Sequence, residues 1–265
     1  MDEIKKVSQA KLNNIAGEKK FNIVYLEKDY YLTVLLYFLR NIKGLHFKGG
    51  TALNKIFLNH QRLSEDLDFT STKPIDEIKK EIVAAIKEHP DYFHKIGFEK
   101  QTPSYSRIKA YYESEQPDSF VLIDVGTKAS VLLKPESNKI PSFYEEIPEF
   151  FITTLNKDEL IAEKIRTMFQ RKKARDYYDA YFIITKKFFI DKKILKRKLK
   201  EVGKEYKPEI IFKNANKVYS FWENEISSLT NKPIAYKTAI KTIADKFEYK
   251  KVKKNNIKNN KKAPI

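Results

Sequence analysis

A glycine pair and an aspartate pair constrain the fold of this chain more than any other feature of its sequence. Gly49 and Gly50 follow the short segment Leu45–Lys48, and an apolar-rich segment resumes at Ala52. This order predicts a strand, a tight turn and a helix, because glycine lets the backbone approach a ligand without an intervening Cβ. Free N–H groups at such a helix start, with the hydroxyl of Thr51, could hold phosphate oxygens. The same order also occurs where glycines serve only as a turn.

The aspartate pair lies on the next predicted strand, residues 66–70. Side chains alternate along a strand, so Asp66 and Asp68 share one face while Leu67 and Phe69 pack on the other. Two like charges side by side repel unless a cation lies between them. The pattern therefore predicts a metal site. A solvated strand end, or pairing with Arg62 and nearby lysines, is the alternative.

A third aspartate ends an apolar run. Asp124 follows residues 120–123 in a predicted strand, residues 119–125, whose apolar composition is typical of a strand buried on both faces. A carboxylate there is costly without a metal or a base. Asp66, Asp68 and Asp124 on neighbouring strands would suit two magnesium ions. Asp124 could also be an ordinary strand-end residue.

The periodicity of the chain predicts an α/β (α+β) protein with two structural parts. Residues 1–40 have helical spacing, residues 92–100 and 106–113 read as further strands, and residues 74–87 as a helix. From about residue 155 the pattern is helical. We therefore expect an α/β domain with N-terminal helices over residues 1–150, a helical domain over 151–250, and a mobile basic tail over 251–265.

Composition narrows the function classes. The chain has 52 Lys and Arg against 35 Asp and Glu, a net charge of +17, which favours a polyanionic partner such as RNA, although scattered lysines also simply solubilise a protein. The absence of cysteine excludes disulfides, thiol nucleophiles and thiolate zinc sites. No apolar stretch is long enough to span a bilayer and the start lacks a signal sequence, so a cytoplasmic protein without membrane contact is expected.

One lysine is unusual in the helical part. A helix is predicted from Asn156, which can cap it while Glu159 returns the bond. Lys164 falls inside the apolar arc of that helix, whereas Glu163 and Arg166 fall outside it. The Lys164 stem could merely run past its apolar neighbours, or its ammonium could reach a triphosphate held by the first domain.

A charged cluster on the next predicted helix poses the same choice. Arg175, Asp176 and Asp179 lie on the face that Phe182 and Ile183 occupy later. They could form a self-satisfied ionic network, or supply a base or a substrate clamp beside the metals. The spacing alone does not separate these alternatives.

Four blocks, taken in order, resemble the AbiEii/AbiGii nucleotidyltransferase toxins of abortive-infection and type IV toxin–antitoxin systems, within the polymerase-β-like superfamily. The blocks are residues 48–53, 62–69, 162–164 and 175–179. The resemblance implies a mixed-sheet nucleotidyltransferase core flanked by helices, with a helical C-terminal domain that closes the active-site cleft. It also implies magnesium-dependent transfer of a nucleoside monophosphate from a nucleoside triphosphate, and a possible cognate antitoxin.

The same resemblance implies roles for individual residues. Metal ligands would be Asp66, Asp68 and, on a looser match, Asp124, and nucleotide contacts would come from Lys48, Gly49, Gly50, Thr51 and Arg62. Lys164 would neutralise triphosphate charge, and Asp176 would be an essential acidic residue. Thr51 stands where the superfamily usually has serine, which keeps the hydroxyl.

The leading hypothesis is therefore a toxin that transfers a nucleotide to RNA, with the 3′ end of tRNA as the expected acceptor. Two alternatives stay open at this point. The same site could modify a protein hydroxyl, or the chain could be a catalytically silent, basic nucleic-acid-binding protein whose RNA affinity needs neither magnesium nor the aspartates.

Overall fold

The computed structural model describes residues 4–213 and 215–249, and its centre is one mixed sheet of seven strands. The strands are β1 Leu45–Lys48, β2 Asp66–Ser71, β3 Lys95–Thr102, β4 Tyr105–Tyr111, β5 Phe120–Gly126, β6 Glu136–Lys139 and β7 Phe151–Thr154. They lie in the order β3-β4-β5-β2-β1-β7-β6. The predicted mixed sheet is confirmed, whereas the predicted basic tail, residues 251–265, lies outside the described residues.

Helices flank the sheet and fill the C-terminal part. They are α1 Gln9–Lys19, α2 Ile23–Leu39, α3 Gly49–Ala52, α4 Ile75–Lys87, α5 Lys157–Gln170, α6 Ala174–Thr185, α7 Lys192–Lys200, α8 Glu209–Lys213, α9 Ala215–Ile226 and α10 Tyr236–Lys246. The predicted helical character is confirmed between Gln9 and Leu39, and in the described residues from Lys157 onward. None of these described helices is both long and apolar enough to cross a membrane.

The two faces of the central strands differ. On β5, Val121, Ile123 and Val125 are buried, whereas the alternate side chains are half-buried. The expectation that this strand is buried on both faces is therefore wrong. The physical reason is that α2 and α4 pack against one face of the sheet, which leaves the other face to polar residues and the cleft.

The sequence pattern did not predict two short strands, β6 and β7. β7 runs parallel to β1, with Phe47 opposite Thr154, and β6 pairs antiparallel with β7. The sheet therefore continues past residue 150, and helical structure begins at Lys157. β6 reads Glu-Ser-Asn-Lys, so it has no apolar alternation that could have revealed it.

The cap of α5 differs from the prediction in one respect. Asn156 accepts a hydrogen bond from the backbone N–H of Asp158, as expected for a capping residue. Glu159 does not return the bond, which corrects the predicted capping box. Its buried carboxylate instead accepts from the backbone N–H groups of Leu132 and Leu133 and pairs with Lys198 at 2.6 Å.

The two parts of the chain share one core boundary. Leu53 and Leu58, which follow the glycine pair, pack into the apolar cluster of the helical part together with Ile161, Ile165 and Tyr178. Across the same boundary, the backbone N–H of Leu63 donates to the carbonyl of Leu229 at 2.7 Å. The first part of the chain therefore contributes residues to the core of the second.

Candidate active site

The glycine pair lies where backbone and side chains approach most closely. Gly49 has a φ of +79°, and a Cβ built there would lie 2.1 Å from Oδ2 of Asp68. A Cβ on Gly50 would lie 2.7 Å from Nη2 of Arg62 and 3.6 Å from Nζ of Lys164. Any larger residue would collide with these groups, so the glycines bring the backbone of α3 against the charged side chains of the site.

The hydroxyl of Thr51 is used inside the protein. Thr51 is buried, and its Oγ1 donates to the carbonyl oxygen of Asp66 at 2.5 Å. This bond ties α3 to the start of β2, directly beside the aspartate pair. A direct contact between this hydroxyl and phosphate stays a prediction.

The aspartates meet on one face of the sheet, as the sequence predicts. Strand β2 runs parallel to β5 with Asp68 opposite Asp124, and Asp66 lies two residues before Asp68 on the same face. Loss of solvent raises the pKa of Asp68 to about 7, with Asp66 and Asp124 adding to the rise and Lys48 opposing it. A cation would relieve this repulsion.

Asp124 already has partners. Arg107 on β4 donates from Nε to Oδ1 at 2.7 Å and from Nη2 to Oδ2 at 2.9 Å, and the hydroxyl of Tyr105 donates to Oδ1 at 2.6 Å. These bonds raise the pKa of Arg107. Arg107 was missed at the sequence level, although its strand was predicted, because only the β4–β5 register places it opposite Asp124.

The three aspartates differ in how well their carboxylates could bind magnesium. Among the described residues, no three carboxylate or histidine side chains converge as a ready-made metal site. Asp66 and Asp68 fit a hard divalent cation, because they supply carboxylate oxygens in a place where negative charge is unfavourable. Asp124 could join them through Oδ2, which accepts only one of the three hydrogen bonds from Arg107 and Tyr105.

Lys164 lies at the boundary between the two parts of the chain, close to Gly50. Its contact with a triphosphate stays a prediction. Its Nζ lies 2.9 Å from Oδ1 of Asp176 and 2.7 Å from Oδ2 of Asp179, and its side chain is 6% exposed. Its ammonium is therefore held beside Gly50 by two carboxylates of α6.

Arg62 lies on the far side of Asp179. Its Nε and Nη2 donate to the two oxygens of that carboxylate at 2.8 and 2.7 Å, and its side chain is 2% exposed. Burial alone would raise the pKa of Asp179, but Arg62 and Lys164 outweigh it and lower the pKa. A direct contact between Arg62 and a nucleotide stays a prediction, because its guanidinium is engaged with Asp179 in this structure.

Asp176 is held by a second arginine. Arg171 donates from Nε to Oδ2 at 2.7 Å and from Nη2 to Oδ1 at 3.0 Å, while 49% of its side chain remains exposed. Burial opposes ionisation of Asp176, yet Lys164 and Arg171 keep its pKa low. Asp176 and Asp179 thus belong to an ionic network that opens onto the cleft. Arg171 was missed, and the signal that could have revealed it was the buried position of Asp176, which demands a cation.

Lys48 is positioned by an acid that the sequence placed wrongly. Glu163 was expected outside the packed face of α5, but it is buried. Lys48 at 3.2 Å and Lys198 at 3.1 Å hold its two oxygens. Burial raises the pKa of Glu163, and these lysines reverse the shift and lower it to about 2. The error arises because helical periodicity detects apolar faces, whereas this face is filled by paired charges.

A cavity of about 140 Å³ separates α3 from α5. Its charged lining consists of Lys48, Asp68, Glu163, Lys164, Arg166 and Arg171, together with the glycine pair. The Nε of Arg166 is buried there and has no hydrogen-bond partner among the described residues. Pockets for whole ligands are usually about 300 Å³ or larger, so this one suits the phosphate end of a nucleotide, with base and sugar outside.

Solved structures share this fold. MenT4, a nucleotidyltransferase toxin from Mycobacterium tuberculosis H37Rv, aligns with a TM-score of 0.66 at 18% identity, over 91% of this chain and 89% of that one. The crystal structure of JHP933 from Helicobacter pylori aligns with a TM-score of 0.56 at 21% identity, over 86% and 95% of the two chains. A comparison with curated protein sequences found no significant match.

A match to a protein-family model shows the family of this chain. The model described as nucleotidyl transferase AbiEii toxin, type IV toxin–antitoxin system, matches residues 40–253. That range includes the glycine pair, the three aspartates and the two helices that carry Lys164 and Asp176. The chain belongs to the AbiEii family of nucleotidyltransferase toxins of type IV toxin–antitoxin systems.

Proposed function

We propose that this chain transfers a nucleoside monophosphate from a nucleoside triphosphate to the 3′-terminal hydroxyl of RNA in the cytoplasm, with tRNA as the acceptor. The observation that supports this best is that Asp68, which shares a face of the sheet with Asp66, lines a small cavity together with Lys48, Lys164 and Arg171. The modified RNA would no longer serve translation, so transfer would arrest growth. Membership of a toxin–antitoxin family implies an antitoxin that counters it.

The cations that line the cavity would bind the triphosphate. Lys48, Lys164 and Arg171 line it and would hold the triphosphate, and the absence of side chains on Gly49 and Gly50 lets phosphate oxygens approach the backbone. The two partners of Lys164, Asp176 and Asp179, fix its ammonium before substrate arrives, so little ordering remains to be done on binding.

Asp66, Asp68 and Asp124 would hold magnesium. When bound there, Mg²⁺ would neutralise triphosphate charge and favour ionisation of the acceptor hydroxyl. In the transfer itself, the acceptor oxygen forms a bond to the α-phosphorus and the bond from that phosphorus to the pyrophosphate oxygen breaks. The hydroxyl proton passes to water, and pyrophosphate leaves past Lys164 and Arg171.

The test is to incubate the protein with each α-labelled nucleoside triphosphate, with magnesium, in the presence of total RNA or total protein. We expect label in RNA, the release of pyrophosphate, and no label from γ-labelled substrate. The Asp66→Asn, Asp68→Asn double variant should lose transfer, whereas the control Asp91→Asn, Asp245→Asn, which changes two exposed carboxylates, should keep it.

Other outcomes identify the alternatives. Label in the protein fraction alone would replace the RNA acceptor by a protein hydroxyl. Undiminished transfer by the Asp66→Asn, Asp68→Asn variant would refute the site. RNA binding without any transfer, unaffected by magnesium, would favour the silent binding protein.

A further inference from the structure

The face of the sheet that carries the aspartates continues along β4. The buried residues Ser106, Ile108 and Ala110 alternate with residues on the open face. Those open-face residues are Tyr105, Arg107, Lys109 and Tyr111. Since Arg107 contacts Asp124, this row lies on the same side of the sheet as the carboxylates.

Cations and rings alternate on this face. The Nζ of Lys109 lies 4.6 Å from the ring centre of Phe120, that of Lys95 lies 4.7 Å from Tyr111, and that of Lys100 lies 5.7 Å from Tyr105. We call these six residues the β4–β5 strip, after the strands that carry the rings. Lys95 and Lys100 lie on β3, opposite Tyr111 and Arg107 of β4. Basic side chains interleaved with rings are what single-stranded nucleic acid requires, because phosphates bind the cations and bases stack on the rings.

Most of the positive charge on the strip is not neutralised. Lys95 and Lys100 are exposed and form no ion pair with any carboxylate in the described part of the chain. Lys109 has Glu99 at 3.6 Å, but 46% of the Glu99 side chain is exposed, and such surface pairs contribute little. The strip therefore offers net positive charge to a partner.

Geometry distinguishes the strip from the other aromatic residues nearby. Tyr112 is buried and stacks on Tyr31 with ring centres 3.9 Å apart, so its ring is not open to a base. Tyr111, the next residue back, faces the open side. Its ring lies across Gly97, where a Cβ would be 3.1 Å from the ring, so glycine on β3 makes room for it.

The strip leads to the carboxylates. Tyr105, at one end of β4, donates to Asp124, and Asp124 lies opposite Asp68. From Tyr105 to Tyr111 the strand extends about 20 Å. We propose that the β4–β5 strip binds the single-stranded 3′ end of the RNA acceptor and directs its terminal hydroxyl to the aspartates. This inference rests on the proposed function, and it adds which surface selects the acceptor.

The test measures RNA binding without transfer. The probe is a fluorescein-labelled 12-nucleotide single-stranded RNA, titrated with the full chain without nucleoside triphosphate, and read by anisotropy at several salt concentrations. The Lys95→Gln, Lys100→Gln variant should bind about tenfold more weakly, and the slope of log K against log salt should be shallower by about 1.4. Tyr111→Ala should weaken binding about fivefold or more.

The matched control is Lys192→Gln, Lys193→Gln on α7, which removes the same charge from exposed lysines away from any ring contact in the described residues. It should bind like the unchanged chain. Equal weakening by the control and the strip variant would overturn the strip as a specific surface. Equal competition by a blunt RNA duplex would overturn the single-stranded track.

The outcome separates this inference from the proposed function. If RNA binding depends on the strip but no RNA becomes labelled, the proposed transfer fails and the strip stands. If RNA is labelled normally by the Lys95→Gln, Lys100→Gln variant, with an unchanged KM for RNA, the strip fails and the proposed transfer stands.

Discussion

Asp68 lies in an electrostatic position that the folded chain does not fully compensate. The carboxylate has lost much of its solvent, shares a face with Asp66, and lies opposite Asp124. Lys48 is the cation that most opposes the resulting rise in its pKa. Carboxylates kept in such places commonly serve function at the expense of stability.

Because the charge of Asp68 is unfavourable to the folded state, its removal should raise stability and abolish activity. In the presence of EDTA, Asp68→Asn should raise the free energy of unfolding by about 1–2 kcal/mol, because it removes one charge from a like-charged group. The same variant should lose nucleotide transfer. Urea unfolding followed by circular dichroism measures the first effect.

Asp245→Asn provides the comparison, because its carboxylate is exposed on α10 and should change stability by no more than about 0.5 kcal/mol. A less stable Asp68→Asn chain would contradict the prediction and would show that this carboxylate also supports the fold.

Sequence reasoning at the residue level succeeded where alternation or periodicity carried the signal. It placed Asp66, Asp68 and Asp124 on one face and Lys164 on the packed side of α5. It misplaced Glu163, because a helical face filled with paired charges has no apolar signature. It also missed Arg107 and Arg171, whose importance depends on contacts that pattern alone does not reveal.

At the level of elements, one buried lysine connects helices α5 and α7 to the loop that contains Ser130. Lys198 on α7 is fully buried and contacts Glu159 at 2.6 Å and Glu163 at 3.1 Å on α5. It also donates to the backbone carbonyl of Ser130. Because Glu163 in turn contacts Lys48, the position of a cation in the cleft depends on a buried residue of α7.

Lys198→Met should therefore destabilise the chain by about 3–5 kcal/mol, since it leaves two buried carboxylates without their shared cation. Lys196→Met on the same helix is the matched control, because Lys196 is exposed and forms no ion pair among the described residues. Chemical denaturation compares the two. An equal effect of both changes would show that the buried contacts contribute nothing beyond helix propensity.

The predictability of elements followed their length and apolar content. The limits of β1 agree with the structure, the helix predicted over residues 74–87 begins one residue later, and β4 and β5 differ from expectation by one or two residues. β6 and β7 are four residues each, too short for alternation to be recognised, and β6 is wholly polar. β7 is stabilised by pairing with β1, and β6 by pairing with β7, and such long-range contacts leave no local signal.

At the scale of the whole molecule, the α/β and helical parts are joined by buried contacts. Leu53 and Leu58 pack in the helical core, and Arg62 donates two hydrogen bonds to Asp179. The hydroxyl of Tyr178 also donates to the carbonyl of Gln61. Separating the parts would expose apolar side chains and a buried ion pair together.

We therefore expect the described parts to unfold in one cooperative transition. The single tryptophan, Trp222, lies buried in α9 and reports on the helical part, whereas far-ultraviolet circular dichroism reports on all helices and strands. Urea midpoints from the two signals should coincide. A tryptophan transition at distinctly lower urea would show instead that the helical part unfolds independently.

The family resemblance predicted a mixed sheet followed by a helical part, but it did not predict how the two parts contact each other. The small cavity between α3 and α5 depends on the directions of Lys48, Lys164 and Arg171, which follow from packing across the boundary. The sequence shows which residues are charged, but their contacts depend on the folded structure.

The carboxylate of Asp179 is shared by Arg62, which precedes the aspartate strand, and Lys164, which faces the cleft. This sharing limits how such a protein can change through inheritance. A recombinant that takes its sheet from one relative and its helices from another would leave a charge stranded unless all three residues came from matching parents. The two parts are therefore expected to be inherited together.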